Sequence, residues 1–490
     1  MEEPPVGFPA GPSGDVGLSL VRDPLAFLEN MQREHGDVVG MALAGARVVL
    51  VSSPLAARHV MVDAASSFQK EGTAFFPGSS LAGEGLLVSD GEVWRRQRRL
   101  SNPAFREAAV QGYVGAMTAC MSDLLEGEWQ DARGRARDVY ADFNDLTLRV
   151  ATRALFGEDA TGPAAERINS AIALAFEYFG QRAATGFAIP EWVPTPGNSR
   201  YNAAVRDLDE AVYGIIAKRR AALDAAPSGA PQPNDLLTRL ILARDDEDEG
   251  GGGMDDRSLR DELMTLLVAG QETSAIVLGW TCHMLAQRPS LQNEVSRSVR
   301  RTLRGRQPGW GDLPDLWEVE ALLLESMRLM PPAYLVGRCA AEDVQVQGHR
   351  IPQGTTVLIS PYLMHRDARY WDRPGDFRPD RWYEFLRGPG RGRGQLGSMA
   401  LMSNLGPNGA YLPFGAGPRN CIGTRFALVE TTLLLATILQ RTLLRPPTGL
   451  AALRRPAVEA QPLITLRPGP IWLEVLLRPH WDGNVGKGRL

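Results

Sequence analysis

One short segment near the C-terminus constrains this chain more than any other. Residues 414–423 read Phe-Gly-Ala-Gly-Pro-Arg-Asn-Cys-Ile-Gly, and an apolar run typical of a helix follows, from 424 to about 444. Glycine permits backbone conformations and close approaches that other residues forbid. The segment therefore presents a single thiol, Cys421, in a flexible-backbone loop before a long helix. Arg419, two residues earlier, adds a cation.

Three ordinary explanations of Cys421 compete with a functional one. A free cysteine is usually a small buried hydrophobe, zinc needs several ligands at short spacing, and a redox dithiol needs a second thiol. The sequence has no CxxC or HxxxH pattern, and its cysteines are scattered, at 120, 282, 339 and 421. A haem iron accepts a lone thiolate, and its propionates suit an arginine. The coincidence of these residue types within ten positions favours haem.

The loop resembles the haem-binding segment of the cytochrome P-450 superfamily, Phe-x-x-Gly-x-Arg-x-Cys-x-Gly, at every fixed position. The resemblance implies that Cys421 is the axial ligand of the iron and that Arg419 binds a propionate. Phe414, Gly415 and Gly423 would complete the cofactor-binding loop. It also implies a mainly α fold with a small β-rich lobe (α+β), in a single haem-binding catalytic domain.

A second motif lies within a helix predicted from 256 to about 287, where residues 269–274 read Ala-Gly-Gln-Glu-Thr-Ser. Taken alone, a glycine and a threonine in a helix more often reflect close packing. A threonine hydroxyl can also bond the carbonyl four residues back and bend the helix. The segment resembles the family's oxygen-groove pattern, with two small residues at the groove and an acid–alcohol pair for proton delivery. The resemblance thus implies four catalytic residues: Ala269, Gly270, Glu272 and Thr273.

Two further segments extend the resemblance. Glu325 and Arg328 share one face of a predicted helix and, taken alone, are an ordinary surface ion pair. Residues 377–382 resemble the family segment Phe-x-Pro-(Glu/Asp)-Arg-(Phe/Trp), which implies that Arg381 joins that pair in a buried structural triad. The pattern Trp-x-x-x-Arg at 94–98 and an arginine after the triad helix imply further propionate contacts. These are Trp94, Arg98 and Arg338.

Periodicity and composition predict the secondary structure and the segments of the rest of the chain. We expect a hairpin pairing 38–41 with 48–51, helices over 91–100, 108–157 and 164–182, and a helix beginning at Pro54. We also expect a Pro/Gly-rich segment over 1–24, a catalytic domain over 25–480 with flexible surface loops at 225–256 and 387–398, and a tail over 481–490.

The net charge of −4 over 490 residues predicts no nucleic-acid surface. Because no run of 18 apolar residues opens the chain, we expect no transmembrane anchor. The scattered cysteines are typical of a reducing compartment. We therefore expect a soluble intracellular protein, cytoplasmic or in an organelle such as a plastid, and leave peripheral membrane association open.

These features predict a monooxygenase that inserts one atom of O2 into a small apolar organic substrate by hydroxylation or epoxidation, the other atom leaving as water. It would be a monomer that uses haem b and receives electrons from NAD(P)H through a separate ferredoxin or flavoprotein reductase. A haem-thiolate isomerase or peroxygenase and a non-catalytic haem sensor stay open as alternatives, although the Glu272–Thr273 pair speaks against both. By family position, the substrate would contact Phe75, Phe76, Leu335, Val336 and Ile464.

Overall fold

The computed structural model describes residues 6–73, 80–132, 135–157, 163–184, 190–227, 229–245, 252–387, 396–403, 406, 408–448 and 457–478. The helices are α1 (Gly17–Arg22), α2 (Pro24–His35), α3 (Pro54–Arg58), α4 (Gly91–Ser101), α5 (Glu107–Leu124), α6 (Gln130–Ala132), α7 (Val139–Phe156), α8 (Pro163–Ala184), α9 (Pro196–Ala225), α10 (Leu236–Leu242), α11 (Asp256–Ala286), α12 (Pro289–Leu303), α13 (Trp317–Leu329), α14 (Pro361–Met364), α15 (Tyr383–Arg387), α16 (Ser398–Ser403) and α17 (Thr424–Arg441). The strands are β1 (Val38–Leu43), β2 (Ala46–Val51), β3 (Phe68–Gln69), β4 (Ala136–Asp138), β5 (Val336–Ala340), β6 (Val344–Val346), β7 (His349–Ile351), β8 (Thr356–Ile359), β9 (Thr442–Arg445), β10 (Ala460–Pro462), β11 (Leu466–Pro468) and β12 (Trp472–Leu477).

Helix α11 runs through the interior of the helical body, as its predicted length suggests. The Asp255 side chain caps its first turn by accepting a hydrogen bond from the Ser258 N–H. The helix packs against α7, α13 and α17. It is long and apolar enough to cross a membrane, but 67% of its most apolar window is buried inside the fold. Its apolar side chains therefore form part of the hydrophobic core.

The β-rich lobe is built around a five-stranded sheet in the order β1-β2-β8-β5-β3. The predicted hairpin is confirmed, with Val38 paired to Val51 and Met41 to Val48. Ala44 and Gly45 connect its strands with positive φ at both positions, the geometry that two-residue hairpin turns favour. Strand β8 runs parallel to β2 on the other side. The sheet therefore joins segments from opposite ends of the chain.

The helix predicted over 108–157 is wrong at its centre. The structure has α5 and α7 there, separated by strand β4, because β4 pairs with β12 near the C-terminus. Likewise α17 ends at Arg441, about three residues earlier than predicted, because the next four residues pair with β12 as strand β9. Both errors share one cause: the strand partner lies far away in the sequence.

Candidate active site

A cavity of about 920 Å³ lies between α11 and the loop that precedes α17. Its walls also include the start of α4, part of β5 and the turn that joins β10 to β11. The cysteine loop contributes Phe414, Gly415, Arg419, Cys421 and Gly423. The fold therefore gathers the whole predicted cofactor loop on one wall.

Segment 269–273 of α11 borders the same cavity through three of its four predicted catalytic residues. These are Ala269, Gly270 and Thr273. The two sequence motifs therefore share one cavity.

Glycines shape the cysteine loop. Gly417 has a φ of +69°, and a Cβ built there would lie 1.8 Å from the carbonyl oxygen of Met61. Glycine is therefore required at that position by both conformation and space. The Cys421 N–H donates to the Phe414 carbonyl at 2.9 Å, and the Thr424 hydroxyl donates to the Cys421 carbonyl at 2.8 Å. These bonds fix the loop with the cysteine side chain exposed along the cavity wall.

Opposing effects act on the Cys421 thiol. Desolvation by the surrounding protein raises its pKa, whereas the Gly423 N–H, the charge of Arg98 and the Thr424 hydroxyl lower it. The three lowering groups all favour the thiolate, which is the form that binds metals. The loop is therefore arranged to support a negative sulfur once a cation compensates the desolvation.

One edge of the cavity carries a cluster of cations. Arg419 forms an ion pair with Asp90, and its guanidinium carbon lies 4.3 Å from the centroid of the Trp94 ring. Arg98 donates to the carbonyl and the side-chain oxygen of Asn420, both at 2.8 Å. Together with Arg338, these predicted propionate residues all border the cavity.

Lys70 also belongs to this edge, although no sequence motif marks it. Burial, together with the charges of Arg338 and Arg419, lowers its pKa to about 7, while Asp90 opposes the shift. Burial and Arg419 also lower the pKa of Arg338, to about 10. The cluster therefore holds more positive charge than Asp90 balances, and it would be stabilised by added carboxylates.

The cavity fits a haem on three independent features. The glycines of the cysteine loop allow a flat ring to approach the backbone, and the Cys421 thiol borders the same wall. At the edge of the cavity, cationic side chains carry positive charge that anionic groups could balance. The volume is at the upper end of the range usual for cofactor and ligand sites.

The oxygen-groove motif has the local geometry expected from its sequence. The Thr273 hydroxyl donates to the Ala269 carbonyl at 2.8 Å. A Cβ built on Gly270 would meet no atom within 4 Å beyond its own helix and chain neighbours. Close packing therefore does not explain this glycine, which instead leaves open space on the cavity side of α11.

Glu272 does not line the cavity, although its neighbours do. Successive helical residues point about 100° apart, so the carboxyl lies on another side of α11 from Thr273. Its Oε2 accepts a hydrogen bond from Thr465 at 2.6 Å, and its Oε1 lies 3.9 Å from Nη1 of Arg467. Burial raises its pKa, while Thr465 and Arg467 act to lower it. The sequence identified the residue but not the direction of its side chain.

A second carboxyl near the cavity was missed by the sequence reasoning. Ser274 borders the cavity and donates to Oε2 of Glu430, on α17, at 2.6 Å. Burial raises the pKa of Glu430 to about 8. The available signal was an acid within an otherwise apolar helical run, since a buried carboxylate needs a polar partner.

The three side chains of the predicted triad meet in the interior. Oε1 of Glu325 accepts from Nη2 of Arg328 at 2.9 Å and from Nε of Arg381 at 3.1 Å. The Trp382 indole N–H adds a bond to the other carboxylate oxygen, at 2.9 Å. Glu325 and Arg328 are fully buried.

The triad is linked to the cysteine loop through His365. Arg328 donates to the His365 carbonyl at 2.8 Å, and the ring Nε2 of His365 accepts from the Leu412 N–H at 2.8 Å. Burial and nearby Arg328 lower the pKa of His365 to about 3, so the ring is neutral. This chain of bonds anchors the segment that leads to Cys421.

Of the predicted substrate contacts, Leu335, Val336 and Ile464 border the cavity. Phe75 and Phe76 lie outside the described residues.

Comparison with known proteins decides the family. Residues 16–470 match the family described as Cytochrome P450. This chain belongs to the cytochrome P450 family. The crystal structure of cytochrome P450DA heme domain superimposes on this P450 with a TM-score of 0.77 at 25% identity, covering 96% of this chain and 98% of that one. The predicted family and fold class are therefore confirmed.

Curated relatives of this P450 come from bacteria and from a plant. Cyclooctat-9-en-7-ol 5-monooxygenase of Streptomyces melanosporofaciens is 34% identical over 88% of this chain and 87% of that protein. Pentalenene oxygenase of Streptomyces avermitilis is 30% identical over 86% of this chain and 87% of that protein. Cytochrome P450 97B2, chloroplastic, of Glycine max is 32% identical over 86% of this chain and 78% of that protein. The names of the two bacterial relatives describe oxygenases.

The P450 is accordingly a haem monooxygenase. It uses haem b and O2, takes electrons derived from NAD(P)H through a redox partner, and acts on an apolar substrate. The predicted function, enzyme class and cofactors are confirmed.

Proposed function

We propose that the Cys421 thiolate would hold the haem iron and that this site oxidises a substrate held against segment 269–273 of α11. The observation that carries the proposal is the position of the Cys421 side chain, exposed along the cavity wall in a loop whose shape requires glycine at position 417. When bound through a thiolate, haem activates O2 for insertion into C–H or C=C bonds.

The chain's own residues orient the cofactor. Arg98, Arg338, Arg419 and Lys70 would bind its propionates, and Trp94, stacked on Arg419, would fix the direction of that arginine. Because Lys70, Arg338 and Arg419 surround the single carboxylate of Asp90, two added carboxylates would neutralise the remaining charge. This neutralisation also explains how Lys70 can be charged in a half-buried position.

Two side chains of α11 would supply protons to the cavity. The Thr273 Oγ1, which borders the cavity, would pass a proton into the groove left open by Gly270. The Glu272 carboxyl, buried one residue earlier, would supply that proton from the side of Arg467. Apolar side chains such as Leu266 and Leu335 line the cavity and would not hold water in it. General acid catalysis of this kind needs a carboxyl whose pKa is raised toward neutrality, as burial does at Glu272.

The substrate is proposed to be a largely hydrocarbon, unsaturated ring compound. Two relatives have names that refer to such compounds, cyclooctat-9-en-7-ol and pentalenene. Apart from the cation cluster, the cavity lining is largely apolar and includes Leu86, Val88, Leu266 and Ile464. Such walls discriminate by shape. A spin-state shift of the ferric haem on adding a cyclic alkene, and none with a linear fatty acid, is the result expected in a binding titration.

The thiolate assignment is tested by the absorption spectrum of the reduced carbon monoxide complex. The purified enzyme should show the strongly red-displaced Soret band of a sulfur-bound haem, and Cys421→Ala should lose it. Cys282→Ala is the matched control, because Cys282 is a buried cysteine of α11 that does not line the cavity. A red-displaced band that survives in Cys421→Ala would disprove the assignment.

A further inference from the structure

The turn between β10 and β11 contacts the cavity and the Glu272 carboxyl at the same time. Ile464 borders the cavity, and the next residue, Thr465, donates its hydroxyl hydrogen to Oε2 of Glu272 at 2.6 Å. One short turn thus presents an apolar side chain to the substrate space and a hydroxyl to an acid of α11.

Hydrogen bonds tie this turn to the cavity wall. The Tyr334 hydroxyl donates to the Leu463 carbonyl at 2.8 Å, and the Leu466 N–H donates to the Pro332 carbonyl at 2.9 Å. Pro332 and Leu335, on either side of Tyr334, both border the cavity. The turn and the wall are therefore hydrogen-bonded to each other at two points.

Charged and titratable groups around Glu272 come from two elements. Arg467 of β11 lies 3.9 Å from its Oε1, with 30% of the arginine side chain exposed. Tyr140 of α7 is close enough that the Glu272 charge, together with burial, raises the pKa of its phenol, while Arg467 acts to lower it. Glu272 is thus buried but lies one side chain away from solvent. Glu430, by contrast, is fully enclosed and bonded to Ser274.

We propose that Thr465 is a positioning residue for Glu272. It holds the carboxyl beside the β10–β11 turn and Arg467, so that substrate contact at Ile464 and proton supply by Glu272 depend on the same turn. The inference rests on the proposed role of Glu272 in proton delivery.

The test follows the infrared C=O band of the protonated Glu272 carboxyl in the ferric haem enzyme, assigned by its loss in Glu272→Gln. Since a hydrogen bond to the charged form lowers a pKa, Thr465→Val should move the titration midpoint of this band to higher pH. Thr465→Ser should restore the midpoint. Thr281→Val is the matched control, because the Thr281 hydroxyl bonds within α11, to Val277, and does not touch Glu272.

Two outcomes separate this inference from the function on which it rests. The coupling of NAD(P)H oxidation to product, measured against hydrogen peroxide release, should fall in Glu272→Gln and in Thr465→Val and recover in Thr465→Ser. An unchanged midpoint in Thr465→Val overturns the positioning role, even where Glu272→Gln uncouples the enzyme. A shifted midpoint with full coupling in Glu272→Gln upholds the positioning role and overturns proton delivery by Glu272.

Discussion

Lys70 shows how one half-buried charge can mark a binding edge. An ammonium group inside a protein normally has a carboxylate partner, yet Lys70 lies with Arg338 and Arg419 opposite Asp90, which leaves its pKa at about 7. Such an arrangement costs stability unless another anion arrives. A cofactor with two carboxylates would supply that anion. The proposed haem site therefore accounts for the unbalanced positive charge around Lys70.

We expect Lys70→Met to release haem faster than the parent enzyme. Losing one charge-assisted hydrogen bond should cost about 1.5–3 kcal/mol of haem binding, or roughly a tenfold to hundredfold faster transfer. The measurement is haem transfer from the ferric enzyme to an excess of an apoprotein acceptor. Lys218→Met, at an exposed position of α9, is the control and should leave the rate unchanged. Equal rates in both variants would contradict the role of Lys70.

Among elements, the cysteine loop depends on its contact with the segment after α3. Gly417 packs against the backbone of Met61 so closely that no side chain fits between them. The φ of +69° adds a conformational penalty for any other residue. The loop thus takes its shape from a distant segment as much as from its own glycines.

Gly417→Ala should therefore yield protein with little haem. The new Cβ would meet the Met61 carbonyl oxygen and force the loop away, at a cost of at least about 1–2 kcal/mol from the left-handed backbone alone. The ratio of Soret to protein absorbance after purification measures the loss. Gly375→Ala, whose Cβ would meet no atom within 4 Å, serves as the control. Normal haem content in Gly417→Ala would refute this account of the loop.

Across the whole molecule, buried titratable groups make stability depend on pH. Burial raises the pKa of Glu430 from 4.5 to about 8, so its contribution is full below pH 4.5 and is lost as the pH rises through 8. His365 acts in the opposite sense, because its pKa falls from 6.5 to about 3 and stability is lost as the pH falls below 6.5.

Glu430→Gln should reduce the loss of stability that the parent protein shows as the pH rises from 5 to 8. The amide keeps an oxygen for the Ser274 hydroxyl but cannot ionise, so the variant should gain roughly 2 °C or more in melting temperature relative to the parent between pH 5 and pH 8. His365 is present in both proteins and cancels in the comparison. Scanning calorimetry at several pH values gives the measurement. Parallel curves for the two proteins would show that folding does not raise the pKa of Glu430.

The sequence by itself determined the local features of this P450. Glycine positions and a lone thiol identified the cysteine loop, apolar periodicity identified α11, and alternating residues around Gly45 identified the β1–β2 hairpin. These features depend on neighbours within a few residues, whose preferences for turn, helix or strand are readable along the chain.

Tertiary structure decided what depends on distant partners. Strand β4 interrupts a helical pattern because β12 pairs with it. The side chain of Glu272 turns to Thr465, and Glu430 bonds Ser274 across two helices. Lys70 joins three arginines from separate elements. None of these pairings has a local signature, because the free energy that fixes them comes from burial and hydrogen bonding between segments that meet only after the chain has folded.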